Sequence, residues 1–579
     1  MSKPGSIDRP LEELHPNERI KAESRLLRGT IEEGLADPIT ASLAADDTQL
    51  TKFHGFYQQD DRDLRDERRR QKLEPAWQMM LRLRLPGGVC TPQQWLRLDD
   101  IAGRWADGSL RLTTRQTFQF HGVLKRDLRT TLVAIDDALL DTIAACGDVN
   151  RTVMAAANPH QSRLHAEIQQ HARRVSDHLL PQTAAYREIW LGGERMDPGQ
   201  DSEPLYGPTY LPRKFKIGFA VPPVNDIDVY SQDLGFVAIE DDRGGLAGFD
   251  VLVGGGMGRT DNEAGTFPRL ADPIGFCTPG RVEALAEAVV TTQRDHGDRV
   301  DRKHARLKYT LEEFGLDWFR EEVERRAGFR LEPVRPFHFD HNGDRYGWTR
   351  GEDGDWHHTL FIENGRVRDQ EDGPQLRTAL REIARVHQGE FQLTPNQNLT
   401  IAGVPEAGRE AVEGVLDRHG VLAPERRSAL RLASMACVAF PTCGLAMAES
   451  ERYLPRLITR LETLAEDAGI GDQPITIRMT GCPNGCARPY IAEIGFSGRA
   501  PGKYDMYLGG GFHGQRLNSP YLENIGEARI LEELGVLFRD YARDRTPGEP
   551  FGDFVIRAGH VPEVTAGRHF NDARRTRSG

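Results

Sequence analysis

The alternation of apolar and polar side chains predicts the first clear strand near residue 77. Segment 77–85 alternates with period two in its second half, and the Pro-Gly-Gly sequence at 86–88 ends it. Apolar residues at helical spacing predict one helix over 282–293. They predict another that opens with a capping-box pattern at Thr310 and ends near Gly328. Because strands and helices are mixed along the chain, we expect an α+β fold.

The first 75 residues differ from the rest of the chain in being strongly charged, with few apolar positions. They end in a run of Asp, Arg and Glu over 61–70. Such a pattern predicts a mobile or helical arm that docks another subunit, with a solvated tail as an equal alternative. Ordered structure is then expected to begin at about Trp77.

Internal repetition predicts a duplicated core. Segments 111–123 and 392–404 share the pattern L-T-x-x-Q, five intervening residues, then G-V. Segments 249–256 and 504–511 share an aromatic residue followed by Asp and, at the end, three glycines. Two echoes in the same order indicate two related halves with a pseudo-twofold axis, and a site at their junction would draw residues from both.

Composition narrows the class of protein. A chain of 579 residues is long enough for two to four domains. A net charge of -12 gives no general case for nucleic-acid binding. No unbroken apolar stretch of about 18 residues is present, and the N-terminus lacks the apolar core of a secretory signal. We therefore expect a cytoplasmic protein without a membrane span.

Four of the seven cysteines form the strongest chemical signal: Cys437-x5-Cys443 and, further on, Cys482-x3-Cys486. Four thiolates can hold tetrahedral zinc or an iron–sulfur cube, although neither pair has the usual zinc-finger or ferredoxin spacing. The apolar surroundings over 435–447 and the amides of the second loop favour an iron–sulfur cluster; zinc and unligated core cysteines remain alternatives. The other three are expected to be small buried hydrophobic residues: Cys90, Cys146 and Cys277.

Several basic residues lie beside strand-like segments and not in charge runs, so they are candidates for an anion site. Arginine offers forked donors for oxyanions, and lysine a compact charge that also carries a proton. By residue type alone, each is more often an ordinary surface charge. The candidates are Arg82, Arg111, Arg115, Arg151, Lys214 and Lys216. The glycine cluster 254–258 lacks dinucleotide-loop spacing, and no convincing flavin or NADPH motif appears, so electrons must come from a partner.

The second cysteine loop carries a family resemblance. Segment 480–486 with Glu493-Ile494-Gly495-Phe496 resembles the siroheme and 4Fe-4S signature of the sulfite and nitrite reductase family, and the first cysteine pair stands at its first two cluster-ligand positions. The resemblance extends from about Asn17 to Phe554 and is closest to the haem-bearing component of NADPH-dependent bacterial sulfite reductases. Gly444 and Ala487 replace an expected Pro and Gly without removing a ligand.

The resemblance implies a set of site residues. All four cysteines would bind one 4Fe-4S cluster, and Cys486 would also be the axial ligand of the siroheme iron. Sulfite binding and proton delivery would fall to Arg82, Arg151, Lys214 and Lys216. Siroheme binding would fall to Arg111, Arg115, Asn484 and Arg306. A packing or hydrogen-bonding role is expected for His121.

The resemblance also implies an architecture of three domains around siroheme plus an N-terminal arm. The expected segments are an arm over 1–75, ferredoxin-like half-domains over 76–150 and 335–424, a siroheme and substrate domain over 151–334, and a cluster and siroheme domain over 425–579.

The implied activity is the six-electron reduction of sulfite to sulfide in sulfate assimilation and cysteine biosynthesis. The expected electron donor is an NADPH-oxidising FAD and FMN flavoprotein, the alpha subunit of a hetero-oligomer. The alternatives are a siroheme nitrite reductase that forms ammonia, a ferredoxin donor, and a non-catalytic scaffold stabilised by zinc.

Overall fold

The computed structural model describes residues 6–186, 190–191, 194–195 and 201–572. In chain order its strands are β1 Phe56–Asp60, β2 Trp77–Arg82, β3 Val89–Cys90, β4 Leu110–Leu112, β5 Phe118–Val123, β6 Met154–Ala155, β7 Trp190–Leu191, β8 Glu194–Arg195, β9 Ile217–Ala220, β10 Val224–Asn225, β11 Leu234–Glu240, β12 Leu246–Val253, β13 Asp272–Cys277, β14 His341–Asn342, β15 Gly347–Arg350, β16 Trp356–Leu360, β17 Arg366–Val367, β18 Glu390–Leu393, β19 Leu399–Val404, β20 Ser434–Ala436, β21 Ile477–Thr480, β22 Ile494–Ala500, β23 Lys503–Leu508 and β24 Ser519–Ile525. Its α-helices are α1 Pro16–Glu23, α2 Ile31–Ala36, α3 Asp47–Leu50, α4 Arg65–Arg70, α5 Pro92–Trp105, α6 Leu128–Asp136, α7 Arg163–His178, α8 Val282–His296, α9 Leu307–Phe314, α10 Leu316–Ala327, α11 Leu376–Val386, α12 Arg409–Arg418, α13 Ala429–Leu432, α14 Leu454–Asp467, α15 Glu527–Asp544 and α16 Phe551–Arg557. None of these helices is long and apolar enough to cross a membrane.

Two antiparallel five-stranded sheets form the first duplicated unit. Their strand orders are β1-β2-β5-β4-β17 and β15-β16-β19-β18-β3. Strand β3 follows β2 in the chain but pairs with β18, whereas β17 follows β16 but pairs with β4. Each sheet therefore receives its last strand from the other, and one hydrophobic core, containing both Phe120 and Ile401, joins them.

Two mixed five-stranded sheets form the second duplicated unit, with orders β6-β9-β11-β12-β13 and β20-β21-β22-β23-β24. In each, the first two pairings are parallel and the last two antiparallel. Each sheet has its own large core. The α+β class and the duplicated core with a pseudo-twofold axis are thus confirmed.

Left-handed backbone positions repeat between the halves and verify the alignment of the repeats. Gln116 and Gln397, at matching positions of the first echo, have φ of 51° and 70°. Asp228 and Arg488, with φ of 50° and 55°, each precede a short 3-10 helix. This last match aligns 217–236 with 477–496, a third repeat that sequence reasoning missed because few side chains are shared.

Two local expectations are wrong. Ordered structure does not begin near Trp77: β1 pairs along its full length with β2, and Phe56 is buried in the shared core, so the charged segment is built into the fold. Thr310 does not cap a helix. It lies inside α9, where its hydroxyl donates to Gln293 Oε1 at 2.8 Å, and Gly315, with φ of 86°, separates α9 from α10.

Other helix limits follow the expectation. The helix predicted over 282–293 is α8, which continues to His296, and α10 ends at Ala327, just before Gly328, whose φ of 76° suits glycine. The proposed segment limits stay predictions.

Candidate functional site

A cavity of about 610 Å³ lies where the two duplicated units meet. Its volume falls within the range of ligand and cofactor pockets. It brings together residues far apart in the sequence: Arg82, Arg111, His121, Arg151, Lys214, Cys437, Cys443, Cys482, Asn484 and Cys486. Of the predicted site residues, Arg115, Lys216 and Arg306 are not part of this lining.

The two cysteine loops converge because they follow adjacent parallel strands. The first loop leaves β20 and the second leaves β21, so both start at the same edge of the sheet. Gly481 N donates to Cys437 Sγ at 3.3 Å, and Asn484 Nδ2 donates to Cys482 Sγ at 3.6 Å. A Cβ at Gly481 would lie 2.6 Å from the Cβ of Ala439, so the approach of the loops requires glycine.

The thiols lie within electrostatic reach of one another in an apolar setting. Burial raises the pKa of Cys437 to about 12, and the neighbouring thiols add to the rise. Burial also raises the pKa of Cys482 and of Cys443. Ionising these groups therefore requires a bound cation, which an iron–sulfur cluster or zinc supplies. Within the described ranges, no three metal-ligating side chains are placed to hold one metal ion; the four thiols instead share the wall of the cavity.

Two arginines of the cavity wall, Arg82 and Arg151, are oriented by neighbouring groups. Arg82 Nη1 donates to Cys146 Sγ at 3.1 Å, and its Nε donates at 3.0 Å to Gln119 when that amide is turned to satisfy both groups. Arg151 Nη2 donates to the carbonyl of Gly147 at 3.1 Å. Cys146, expected to be a small buried hydrophobic residue, is buried and also contacts a residue predicted to bind the substrate.

The predicted lysine pair has strongly lowered pKa values beside the cavity. Burial and the cations Arg213, Arg151 and Arg306 lower the pKa of Lys214 to about 7. Burial, with Lys214 next in importance, lowers the pKa of Lys216 well below its usual value. Lys214 is thus suited to release a proton near neutral pH.

Arg111, which is predicted to bind siroheme, is held in place by contacts with two other segments of the chain. Arg111, 2% exposed, lines the cavity, donates to Ala436 O at 3.2 Å and forms an ion pair with Glu451. Burial lowers its pKa to about 9.

Arg115 and Arg306 lie behind the wall. Arg115 donates to Gln232 Oε1 at 2.7 Å and to the carbonyls of Thr152 and Ile217.

Arg306 makes a forked ion pair with Asp233, with two contacts of 2.8 Å from Nη2. Sequence patterns did not predict this ion pair, because Asp233 and Arg306 are distant along the chain.

His121 provides a test of whether an anionic group fits the cavity. It lines the wall, is 2% exposed, and neither ring nitrogen has a hydrogen-bond partner among the described residues. Burial and nearby arginines lower its pKa well below the usual value, so the ring is neutral and offers one N–H donor. An unpartnered buried donor facing a large cavity fits an acceptor group, such as a carboxylate, bound there.

The N-terminal segment contributes to the same cavity, which sequence reasoning missed. Lys21, Lys52 and Tyr57 lie in the wall. Arg62 donates to Ala446 O at 2.6 Å and its guanidinium lies 4.4 Å from the ring centre of Phe440, so it holds the first cysteine loop.

The pseudo-twofold axis relates this cavity to a much smaller one, of about 40 Å³. In the second, Ala156 and Asp226 stand at the positions of Cys437 and Cys486, as the strand pairing shows, and Pro222 stands at the position of Cys482. The two mixed sheets therefore share their strand arrangement, while the four clustered thiols belong only to the loops after β20 and β21.

Family models match the chain over both duplicated units. The nitrite and sulphite reductase 4Fe-4S domain matches residues 171–331, and the nitrite/sulfite reductase ferredoxin-like half domain matches 74–137 and 349–419. The 4Fe-4S domain match covers strands β9, β11, β12 and β13 of the first mixed sheet and includes none of the four clustered cysteines.

Curated relatives match nearly end to end. The sulfite reductase [NADPH] hemoprotein beta-component of Methylocella silvestris is 59% identical over 567 residues, covering 98% of each chain. The protein of the same name from Anoxybacillus flavithermus is 59% identical over 557 residues, covering 96% of this chain and 97% of that one. Among solved structures, Mycobacterium tuberculosis NirA has the same fold, with a TM-score of 0.75 and 24% identity over 96% of this chain and 98% of that one.

Proposed function

Because the chain belongs to the nitrite and sulfite reductase family, we propose that it reduces sulfite to sulfide with six electrons, at a siroheme coupled to a 4Fe-4S cluster. The observation that carries this proposal is one cavity lined by four cysteines, by two arginines oriented at its substrate end and by a lysine with a pKa of about 7. The names of the most similar relatives favour sulfite over nitrite. We place the enzyme in the cytoplasm, in sulfate assimilation and cysteine biosynthesis.

Cys437, Cys443, Cys482 and Cys486 would hold the cluster, and Cys486 would also ligate the siroheme iron. The cofactor pair supplies electron transfer to the sulfur atom of the substrate. Arg111, Asn484 and the neutral His121 are placed along the wall to donate hydrogen bonds to siroheme carboxylates, with Arg115 and Arg306 contributing positive charge from behind it.

Arg82 and Arg151 would bind the oxyanion. Both line the cavity, and hydrogen bonds to Cys146 or Gly147 fix part of each guanidinium group, so the side chains would be oriented before the substrate enters. Preorganised charged donors of this kind stabilise negative charge without reorganising during the reaction.

Lys214 and Lys216 would deliver the protons that leave with the substrate oxygens as water. Lys214 faces the cavity and holds a transferable proton near pH 7. Lys216, two residues along the chain and outside the cavity lining, is close enough for Lys214 to lower its pKa and would exchange protons with Lys214 from the interior side.

The electron donor is proposed to be a separate alpha component. The relatives are named beta-components, and this chain shows no flavin or NADPH motif. We propose an NADPH-oxidising flavoprotein that carries FAD and FMN and forms a hetero-oligomer with this chain.

The test is a visible spectrum of the purified chain with iron and acid-labile sulfide analysis, followed by sulfite and nitrite turnover with the same reductant. We expect siroheme absorption, four cluster irons plus one haem iron, and a higher kcat/KM for sulfite. A colourless protein containing zinc would overturn the proposal, and a clear preference for nitrite would replace it by nitrite reduction.

A further inference from the structure

The duplicated halves meet at a buried ion network of Asp228, Arg478 and Arg488. These side chains are 0%, 4% and 5% exposed. Arg478 Nη1 donates to Asp228 Oδ2 at 2.6 Å, and Arg488 Nε donates to the same oxygen. The carboxylate is shared by two guanidinium groups, so removing it leaves two buried positive charges without their partner, and removing either arginine leaves it with a single ion partner.

The network lies on the pseudo-twofold axis. Asp228 and Arg488 are equivalent residues: each is the left-handed position before the 3-10 helices Val229–Ser231 and Pro489–Ile491. Their ion pair therefore joins the first mixed sheet to the second through residues that occupy the same position in each.

The guanidinium of Arg488 also reaches both ferredoxin-like half-domains. Its Nη1 donates to Thr114 O at 3.2 Å and its Nη2 donates to Pro395 O at 3.0 Å. Thr114 and Pro395 occupy the same position in the repeated segments 111–123 and 392–404. One side chain, which belongs to the second mixed sheet, thus contacts the other three duplicated pieces of the molecule.

The same network holds the loop that contains Cys486. Arg488 follows this cysteine by two residues, and Thr114 Oγ1 donates to Cys486 O at 3.1 Å. The backbone of Cys486 is therefore fixed from two directions, by Thr114 directly and by Arg488 through the carbonyl of that same threonine.

We propose that Arg488, held by the Asp228 carboxylate that it shares with Arg478, is a positioning residue that orients Cys486 as a ligand for the cluster and the siroheme. The inference rests on the proposed function, because the orientation of Cys486 matters only if this residue binds both the cluster and the siroheme iron. Ligand orientation by outer hydrogen bonds tunes a metal centre without direct contact with it. Arg488 is not part of the cavity lining, so it would act through Cys486 and not by direct contact.

The test uses the full chain purified with its cofactors. Arg488→Met removes all the hydrogen bonds of the guanidinium, and Thr114→Val removes only the hydroxyl bond to the Cys486 carbonyl. Arg488→Lys is the rescue variant, because it keeps the charge beside Asp228. The matched control is Arg377→Met, which breaks a partly buried ion pair to Asp99 at 2.6 Å, outside the cavity lining.

We expect Arg488→Met to shift the siroheme absorption bands and the reduction potential of the cluster. It should lower kcat by tenfold or more while KM for sulfite changes less than twofold. Thr114→Val should shift the same bands to a smaller extent, and Arg488→Lys should restore part of the change. The control should lower thermal stability with wild-type bands and potential.

Unchanged bands and potential in both Thr114→Val and Arg488→Met would overturn the inference, as would equal shifts in the control. If Arg488→Met does not fold, Thr114→Val and Arg488→Lys decide, since the first leaves the ion network intact and the second keeps a positive charge beside Asp228. A wild-type chain without siroheme bands would instead refute the proposed function.

Discussion

Replacing Lys214 tests the proposed proton delivery. Its pKa, lowered to about 7 from 10.5 by burial and by Arg213, Arg151 and Arg306, places its titration near neutral pH. Because the folded-state pKa is lowered, the ammonium form predominates below it and is lost as the pH rises through it. The wild-type kcat/KM should therefore fall about tenfold per pH unit above that pKa.

Bound anions oppose the lowering, so the fall should begin between about pH 7 and 9, well below the value of about 10.4 for an exposed lysine. Lys214→Met should reduce kcat/KM by about 100-fold or more, in line with the loss of a general acid, and should flatten the pH profile. Lys214→Arg keeps the charge without a transferable proton, so it should preserve KM for sulfite but not the rate.

The assay is steady-state sulfite reduction from pH 6 to pH 10 with a dye reductant, on enzyme whose visible spectrum matches wild type. Lys303→Met is the control, since this lysine is half-exposed and pairs with Glu263 at the surface. If kcat/KM of Lys214→Met falls at the same pH and by the same factor as that of the wild type, Lys214 is not the proton donor. A wild-type profile flat to pH 10 would refute it equally.

Three further outcomes are expected. Cys437→Ser should lose cluster iron and acid-labile sulfide, whereas Cys277→Ala, which removes a buried thiol remote from the cavity, should keep both; equal iron loss would contradict the ligand assignment. Leu98→Ala, at a fully buried core position, should destabilise the fold by about 2–5 kcal/mol in urea unfolding, with unchanged siroheme bands. Removing the iron and siroheme should lower the thermal midpoint, because a ligand bound only to the folded state stabilises it, and calorimetry that shows no change would contradict the cavity's role.

Sequence patterns predicted the features that depend on local spacing. The four cysteines are separated by short, fixed intervals within two loops, and the repeated segments around Gln116 and Gln397 show the duplication directly. Alternation located β2, and apolar periodicity located α8. The two periodic signals each lie within a single element, and the cysteine and repeat patterns are read from residue identity alone, so none of them requires knowledge of neighbours in space.

The charged N-terminal segment shows where such reasoning failed. Its composition resembles a solvated arm, yet Arg62 and Arg65 are satisfied by Ala446 O and Asp60 respectively, which makes their charge compatible with packing. The charge pattern alone suggests that water solvates these arginines, whereas in the structure protein acceptors take the place of that water.

What the sequence by itself determined is the chemistry: four thiols in two loops, a set of cations beside strands, and two related halves. Only the tertiary structure decided how these meet. It exchanged β3 and β17 between sheets, placed Arg488 on the axis where four segments join, and lowered the pKa of Lys214. The physical reason is that pKa values, ion partners and strand exchange depend on distances between residues that are remote along the chain, and local periodicity carries no information about those distances.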